Sequence, residues 1–153
     1  MAETTVGIVS VGTYSPPGYL TAVDIAEATG FLEWVVRDKL GIAGKHVAGP
    51  NDHANEMGIK AALDCLAQSD IDPQEIDLVL CTTEEWREYL LGLTETQAVY
   101  LGDIGHTGEQ DTMFGIREGL SQGRLRDGDL MAIVAAGIGY VWATTMVQWG
   151  EVA

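Results

Sequence analysis

The apolar residues of the chain fall into short, strand-like runs separated by longer stretches with helical spacing. The first run, Val6–Gly12, is almost continuously apolar, which is typical of a strand buried on both faces. Pro16 and Pro17 follow it, and consecutive prolines cannot pair inside a sheet. Further strands are predicted at Ile76–Thr82, Ala98–Leu101, Leu130–Ala136 and Tyr140–Trp149.

Helices are predicted between these strands. Thr21 is placed to cap the first, Ala22–Thr29, and a shorter helix follows over Leu32–Leu40. A longer helix begins at residue 51 or 52 and ends at Ser69. The residues assigned to its buried face are Met57, Ile59, Ala62, Leu63 and Leu66, and those assigned outside are Lys60 and Asp64. This alternation predicts an α/β fold with right-handed crossovers.

A glycine-bounded turn, Gly105–Gly108, carries His106 and leads into another helix, which Asp111 or Thr112 is placed to cap. Met113, Ile116 and Leu120 share one face of that helix. At a helix N-terminus, unpaired backbone N–H groups and the positive end of the dipole favour an anion or a polarised carbonyl. This turn is therefore the main candidate for a functional site.

The order of these segments is similar to the β-ketoacyl-acyl-carrier-protein synthase III family, which has the thiolase-like fold. GHTG before a helix, GRLRDGDLMAIVAAGIG and YVWATTMVQW resemble the family's C-terminal end. Residues 1–89 resemble its N-terminal part and residues 90–153 its C-terminal part, joined near Tyr89, in a single domain over 1–153. Family members are about twice as long, so the chain resembles a truncated member.

The resemblance implies a thiolase-like half-domain: an α/β fold with a mixed five-stranded sheet, the last strand antiparallel, and helices on both faces. The helix and strand within residues 61–82 stand in for the equivalent pair of the family's C-terminal half. Apolar residues of the helix that follows the GHTG turn would be exposed on a lone half and need cover. These residues are Met113, Phe114, Ile116, Leu120 and Leu125. A homodimer is the expected arrangement, and pairing with a full-length relative is the alternative.

The resemblance also implies site residues. His106 takes the place of the family's catalytic asparagine, with Asp111 as a nearby acid. The alternative is a turn histidine bonded to backbone, with Asp111 as a helix cap. Trp34 matches the residue that contacts the adenine end of coenzyme A, and Arg37 or Lys39 takes the basic role beside it. Alternatively, Trp34 is a core aromatic and Arg37 a solvated charge. Gly137 and Gly139 match the glycine turn that lines the family's oxyanion site.

The family works through a nucleophilic cysteine, and the segment that would hold it is missing here. Cys81 follows an apolar run without a histidine near it in sequence, and Cys65 lies within a helix, so both are interpreted as structural. Two thiols in a chain without a signal peptide predict a cytoplasmic protein. His46 and His53 lack further ligands at a recognised spacing, so no metal is expected. No cofactor is expected beyond a coenzyme A or acyl-carrier thioester as substrate.

The strongly negative net charge limits the kinds of partner that the chain is expected to bind. The chain has 8 basic and 23 acidic residues, a formal net charge of −15. Such a surface argues against nucleic acid and against an anionic membrane. It also argues against tight binding of coenzyme A or an acidic carrier protein unless basic residues cluster locally. Most of the basic residues of the N-terminal half are Arg37, Lys39, Lys45, His46 and Lys60.

Two functions stay open, and with them whether the chain is an enzyme. The first is a 3-oxoacyl-acyl-carrier-protein synthase III-like acyltransferase of fatty acid or polyketide biosynthesis, impaired because the nucleophile is not found. The second is a non-catalytic thiolase-like half that homodimerises or serves as a subunit partner. Between them lies a protein that binds coenzyme A through Trp34 without turning it over.

Overall fold

The computed structural model describes residues 5–81, 97–99, 108–137 and 141–150. In chain order its elements are β1 (Val6–Tyr14), β2 (Gly18–Thr21), α1 (Ala22–Thr29), a π-helical turn (Val35–Lys39), β3 (Gly44–Val47), α2 (Ala54–Ala67), a 3-10 turn (Pro73–Glu75), β4 (Leu78–Cys81), a 3-10 turn (Gly108–Gln110), α3 (Asp111–Ser121), β5 (Leu130–Gly137) and β6 (Val141–Trp149).

Four of these strands form one mixed sheet in the order β1-β6-β5-β4. β4 and β5 are parallel, whereas β6 is antiparallel to both of its neighbours. Ala98 adds a parallel bridge to Val79 of β4, at the place predicted for the fifth strand. Residues 100 and 101 of that prediction lie outside the described residues. The predicted α/β class, with a mixed sheet and an antiparallel last strand, is confirmed.

One face of the sheet is covered by α2. Gly12 of β1 lies so close to this helix that a Cβ added to it would be 2.1 Å from the Cys65 nitrogen and 2.3 Å from the Ala61 carbonyl oxygen. Ser10 Oγ and Cys65 Sγ are 3.1 Å apart in a buried hydrogen bond. The Thr13 backbone N–H donates to Asp64 Oδ2 at 2.8 Å. The backbones of α2 and β1 therefore lie almost in direct contact.

The opposite face carries α3. A Cβ on Gly115 would lie 3.1 Å from the Leu80 side chain, and one on Gly119 would lie 3.3 Å from Leu78. These two glycines let the helix pack directly on β4. The buried residues of this layer are Leu78, Leu80, Val99, Leu125, Met131 and Val147. The prediction of helices on both faces is thus confirmed.

Among the described residues β1 is an edge strand, and it is buried on one face only. Ser10 and Gly12 face α2, whereas Val6, Ile8 and Val11 are 49%, 71% and 43% exposed. The prediction of a strand buried on both faces is therefore wrong for the single chain. Its apolar pattern belongs to a face that no described element of this chain covers.

A second, small sheet was not predicted. β2 and β3 pair antiparallel, and α1 and the π-helical turn pack beside them around Ala22, Ala26 and Val36. The predicted cap is confirmed, because Thr21 Oγ1 accepts a hydrogen bond from the Asp24 N–H at 3.2 Å. The two strands have four residues each, too few for a clear alternation.

Several helix predictions need correction. α2 begins at Ala54, later than predicted, because Asp52 instead accepts a hydrogen bond from the Gly49 N–H. Leu63, predicted buried, is 51% exposed. The residues of α2 closest to Gly12 are Ala61 and Cys65, whose small size suits this short distance. The predicted helix over Leu32–Leu40 is mainly the π-helical turn.

Candidate functional site

The N-terminus of α3 lies at the edge of the sheet where β4 and β5 end. α3 runs opposite to β4, because Gly115 packs on Leu80 and Gly119, one turn later, packs on Leu78. Asp111, one turn before Gly115, therefore lies beyond Leu80. In open α/β sheets this carboxyl edge is the usual ligand-binding side.

Asp111 is the first residue of α3, and Gln110 occupies the cap position without a side-chain cap bond. The interpretation of Asp111 as the helix cap is therefore wrong. The side chain is only 7% exposed. Its carboxylate lies where the helix dipole favours negative charge. Such a helix end suits an anion or a polarised carbonyl.

Two of the predicted site residues, His106 and Gly139, lie outside the described residues. Gly137 is the last residue of β5 and is exposed, at the same edge as Asp111. A Cβ on Gly137 would make only an ordinary contact, 3.7 Å from the Val141 carbonyl oxygen. Packing among the described residues does not require glycine there, which leaves room for a ligand to approach the backbone.

β1 also ends at this edge. It is parallel to β5, because both strands pair antiparallel with β6. After Tyr14 the chain passes through the buried Pro16 into β2 and then to Trp34 and Arg37. Two strand spacings, about 10 Å, separate β1 from β5 at the sheet. The chain thus leaves the main sheet at this edge before it reaches Trp34 and Arg37.

Trp34 and Arg37 are both exposed. Trp34 is 50% exposed, so the alternative of a core aromatic is wrong. Arg37 Nη2 forms an ion pair with Glu33 Oε1 at 2.6 Å, one helical turn away. To bind a phosphate, Arg37 would have to release Glu33. Lys39, the alternative basic residue, lies on the same π-helical turn. Their binding roles stay predictions.

Neither cysteine faces the N-terminus of α3. Cys65 is fully buried and bonded to Ser10, which supports the structural interpretation. Cys81 packs against the cluster of Met57, Ala61, Val134 and Trp142 on the α2 side of the sheet, whereas Leu80 beside it points to the α3 side. Because successive strand residues alternate between faces, Cys81 and α3 lie on opposite sides of the sheet.

The sequence interpretation missed a polar cluster at the carboxyl end of β1. Lys60 Nζ donates to Tyr14 Oη at 3.1 Å and lies 4.5 Å from the centre of its ring. Tyr14 Oη donates to Asp52 Oδ1 at 3.4 Å. The hydrogen bond with Tyr14 raises the pKa of Lys60 above its usual value. Tyr14 and Lys60 are far apart in sequence, so only the packing of α2 on β1 in three dimensions reveals the cluster.

Two kinds of feature are absent from the described ranges. None of the helices there is long and apolar enough to cross a membrane. Within the same ranges, no group of three or more histidine, cysteine, aspartate or glutamate side chains is arranged to hold a metal ion.

Comparison with known proteins points to one family. Residues 66–149 match the family described as 3-oxoacyl-(acyl-carrier-protein) synthase III, C terminal. Over 95 residues the chain is 33% identical to beta-ketoacyl-(acyl-carrier-protein) synthase III 2 of Streptomyces avermitilis, a stretch covering 62% of this chain and 30% of that protein. The family match begins before the predicted join near Tyr89.

Solved structures show the same fold. The chain is similar to 3-oxoacyl-(acyl-carrier-protein) synthase III from Aquifex aeolicus, with a TM-score of 0.70, 16% identity, and coverage of 96% of this chain and 55% of that one. It is also similar to MvaS in complex with 3-hydroxy-3-methylglutaryl coenzyme A, with a TM-score of 0.65, 19% identity, and coverage of 95% and 40%. The thiolase-like fold is confirmed, and the chain spans about half the length of these relatives.

Proposed function

We propose, from the premise that the chain belongs to the 3-oxoacyl-acyl-carrier-protein synthase III family, that it binds acyl thioesters at the carboxyl edge of its sheet. The observation that carries the proposal is the position of the α3 N-terminus at the carboxyl edge of the sheet. The N-terminus of α3, with Asp111, supplies a place for the thioester carbonyl. The exposed Trp34 supplies a surface for the base of coenzyme A.

The roles of the individual residues follow from this arrangement. A thioester carbonyl develops negative charge on its oxygen when it reacts, and helix N–H groups stabilise such charge. His106 would donate a hydrogen bond to this carbonyl, with Asp111 as the nearby acid, and the backbone at Gly137 and Gly139 would complete the oxyanion site. Trp34 would stack on the adenine ring, with Arg37 near the phosphates. An acyl-carrier thioester would present the same carbonyl without the adenine.

Binding of coenzyme A can be tested on Trp34 with a matched control. Base stacking on an aromatic ring is worth about 1–3 kcal/mol by alanine substitution, roughly a 5- to 150-fold change in affinity. We expect Trp34→Ala to weaken binding of coenzyme A by that factor in titration calorimetry. Phe31→Ala removes another exposed aromatic, 56% exposed, and should leave affinity unchanged. Equal losses in both variants, or no binding by the unmodified chain, would contradict the proposal.

A non-catalytic half is the second candidate, and the placement of the two cysteines favours it. Cys65 is buried and Cys81 lies on the α2 side of the sheet, away from the proposed carbonyl site. A carbonyl-binding group without a nucleophile supplies only part of an active site. Such a chain would act by assembling with a second copy, or with another subunit that completes the site.

Intact mass after incubation with a panel of acyl-coenzyme A thioesters separates the two candidates. A mass gain equal to the acyl group, abolished by prior thiol blocking and by Cys81→Ala, would identify a reactive nucleophile and make the chain an acyltransferase. We expect no adduct with any thioester. Binding without an adduct would support a thioester-binding half that does not form an acyl-enzyme.

A further inference from the structure

A carboxylate is paired with the arginine that lies near Trp34. Arg37 Nη2 lies 2.6 Å from Glu33 Oε1, and the two side chains are 57% and 47% exposed. Glu33 directly precedes Trp34 in the sequence, and Arg37 is the only arginine among residues 1–81. The one guanidinium in this part of the chain is therefore already held by an acidic side chain beside Trp34.

The backbone brings these three side chains to one surface. Val36 is fully buried and packs against α1, which fixes the π-helical turn in place. Residues three and four positions apart lie side by side on a helical surface. Trp34 and Arg37 are three positions apart, Glu33 and Arg37 are four apart, and all three residues are exposed. A ligand whose base stacks on Trp34 would therefore bring its attached phosphates close to the ion pair.

The charges of this turn cancel each other. Residues 33–39 contain two acidic side chains, Glu33 and Asp38, and two basic side chains, Arg37 and Lys39. The chain as a whole has a formal net charge of −15, so its surface repels an anion. A turn without net charge supplies no attraction that offsets this repulsion. Loss of the Glu33 charge alone would make the turn positive.

Glu33 and a phosphate compete for the same guanidinium. Arginine donates to a carboxylate and to a phosphate in the same planar, charge-assisted geometry. When Arg37 turns to a phosphate, Glu33 is left without its partner and repels the incoming charge. When Arg37 stays with Glu33, the phosphate meets a neutral pair. In both cases the carboxylate lowers the affinity for a nucleotide.

We infer that Glu33 is a specificity-determining residue of the thioester site, because it weakens the binding of ligands that bring phosphates to Trp34. The inference rests on the proposed function and names a preference within it. Coenzyme A carries its phosphates on an adenine nucleotide, whereas an acyl-carrier thioester brings no adenine to Trp34. Glu33 therefore shifts the preference of the site from coenzyme A toward thioesters without a nucleotide.

Titration calorimetry with coenzyme A tests the inference on Glu33→Gln, which removes the charge and keeps the size of the side chain. We expect this variant to bind coenzyme A more tightly by roughly 1.5- to 5-fold, the usual contribution of an exposed ion pair. The gain should shrink as added salt screens the charges. Arg37→Ala should bind coenzyme A more weakly than the unmodified chain, because the phosphates lose their guanidinium.

Glu27→Gln is the matched control, because it makes the same change of charge at an exposed position of α1. It should bind coenzyme A as the unmodified chain does. Equal gains in Glu27→Gln and Glu33→Gln would overturn the inference, because only the net charge of the chain would then matter. Equal or weaker binding by Glu33→Gln, or unchanged binding by Arg37→Ala, would also overturn it and leave the ion pair as a contact that only stabilises the turn.

Failure of the proposed function gives a different result from failure of this inference. If coenzyme A binds neither the unmodified chain nor Glu33→Gln, both are wrong. If Trp34→Ala weakens binding while Glu33→Gln leaves it unchanged, the proposed site is supported and only the role of Glu33 is wrong. Thermal unfolding followed by circular dichroism checks that each variant is folded.

Discussion

The contact between Gly12 and α2 is the least forgiving in the fold, and Gly12→Ala is predicted to destabilise the chain strongly. The added Cβ would lie 2.1 Å from the Cys65 nitrogen and 2.3 Å from the Ala61 carbonyl oxygen. An ordinary contact begins at 3.4 Å, so strand and helix must separate by about 1.3 Å. The obstructing atoms are backbone atoms in the middle of a helix, and no rotamer change can move them away.

The magnitude follows from two opposing effects. Overpacking a core costs about 1–3 kcal/mol, and the high end applies because backbone atoms must move. Replacing glycine by alanine in a strand stabilises the folded state by about 0.4–1 kcal/mol, because it lowers the conformational entropy of the unfolded chain. The expected net loss is about 2–3 kcal/mol, out of a total that is usually about 5–15 kcal/mol. For a chain of this size the melting temperature should fall by about 4–12 °C.

Urea unfolding followed by circular dichroism measures the effect, and Gly7→Ala provides the control. Gly7 lies in the same strand, and a Cβ there would have nothing within 4 Å. That variant gains the same entropic term without a clash and should be as stable as the unmodified chain or slightly more so. A difference between the two variants below about 1 kcal/mol would refute the reasoning, because overpacking would then cost less than its usual minimum.

Two further predictions concern the small sheet and the core. Thr21→Ala removes the cap of α1 and should cost about 1 kcal/mol at neutral pH. The hydrogen bond from the Thr21 side chain lowers the pKa of Asp24 in the folded chain. The stabilisation from this bond is therefore present above the unfolded pKa of Asp24 and is lost as the pH falls through its folded pKa. Urea unfolding of this variant should therefore differ less from the unmodified chain at about pH 2 than at pH 7, and an equal difference would contradict the assignment. Leu78→Ala empties a fully buried site and should cost about 2–5 kcal/mol by the same measurement, whereas a loss below about 1 kcal/mol would mean that the site collapses around the change.

Local signals in the sequence were the most reliable. The sequence predicts Thr21 and Gly30 as the two ends of α1, and they are its two cap residues in the structure. Capping can be predicted because it depends only on a few neighbouring residues. The alternation of strands and helices likewise fixed the α/β class. The β2–β3 pairing joins segments that are more than twenty residues apart, and no local pattern encodes it.

Packing distances explain the errors. Leu63 was assigned to the buried face of α2, yet Gly12 brings the helix so close that only small residues fit there, Ala61 and Cys65 among them. At the site, the predicted start of a helix was enough to point to Asp111 in the sequence. The contact of Lys60 with Tyr14 could not be predicted, because it depends on how α2 crosses β1. The central turn that carries His106 lies outside the described residues, so its predicted role stays a prediction.

The bond between Asp64 and the Thr13 backbone has a consequence for how large an assembly can grow. An unprotected edge strand can add further chains one after another, as in amyloid, and a long apolar β1 would be a ready template. Here a carboxylate holds an N–H of that strand, and the pairing register shifts between Ile8 and Ser10. Both features hinder edge-to-edge addition, so growth by strand addition is suppressed.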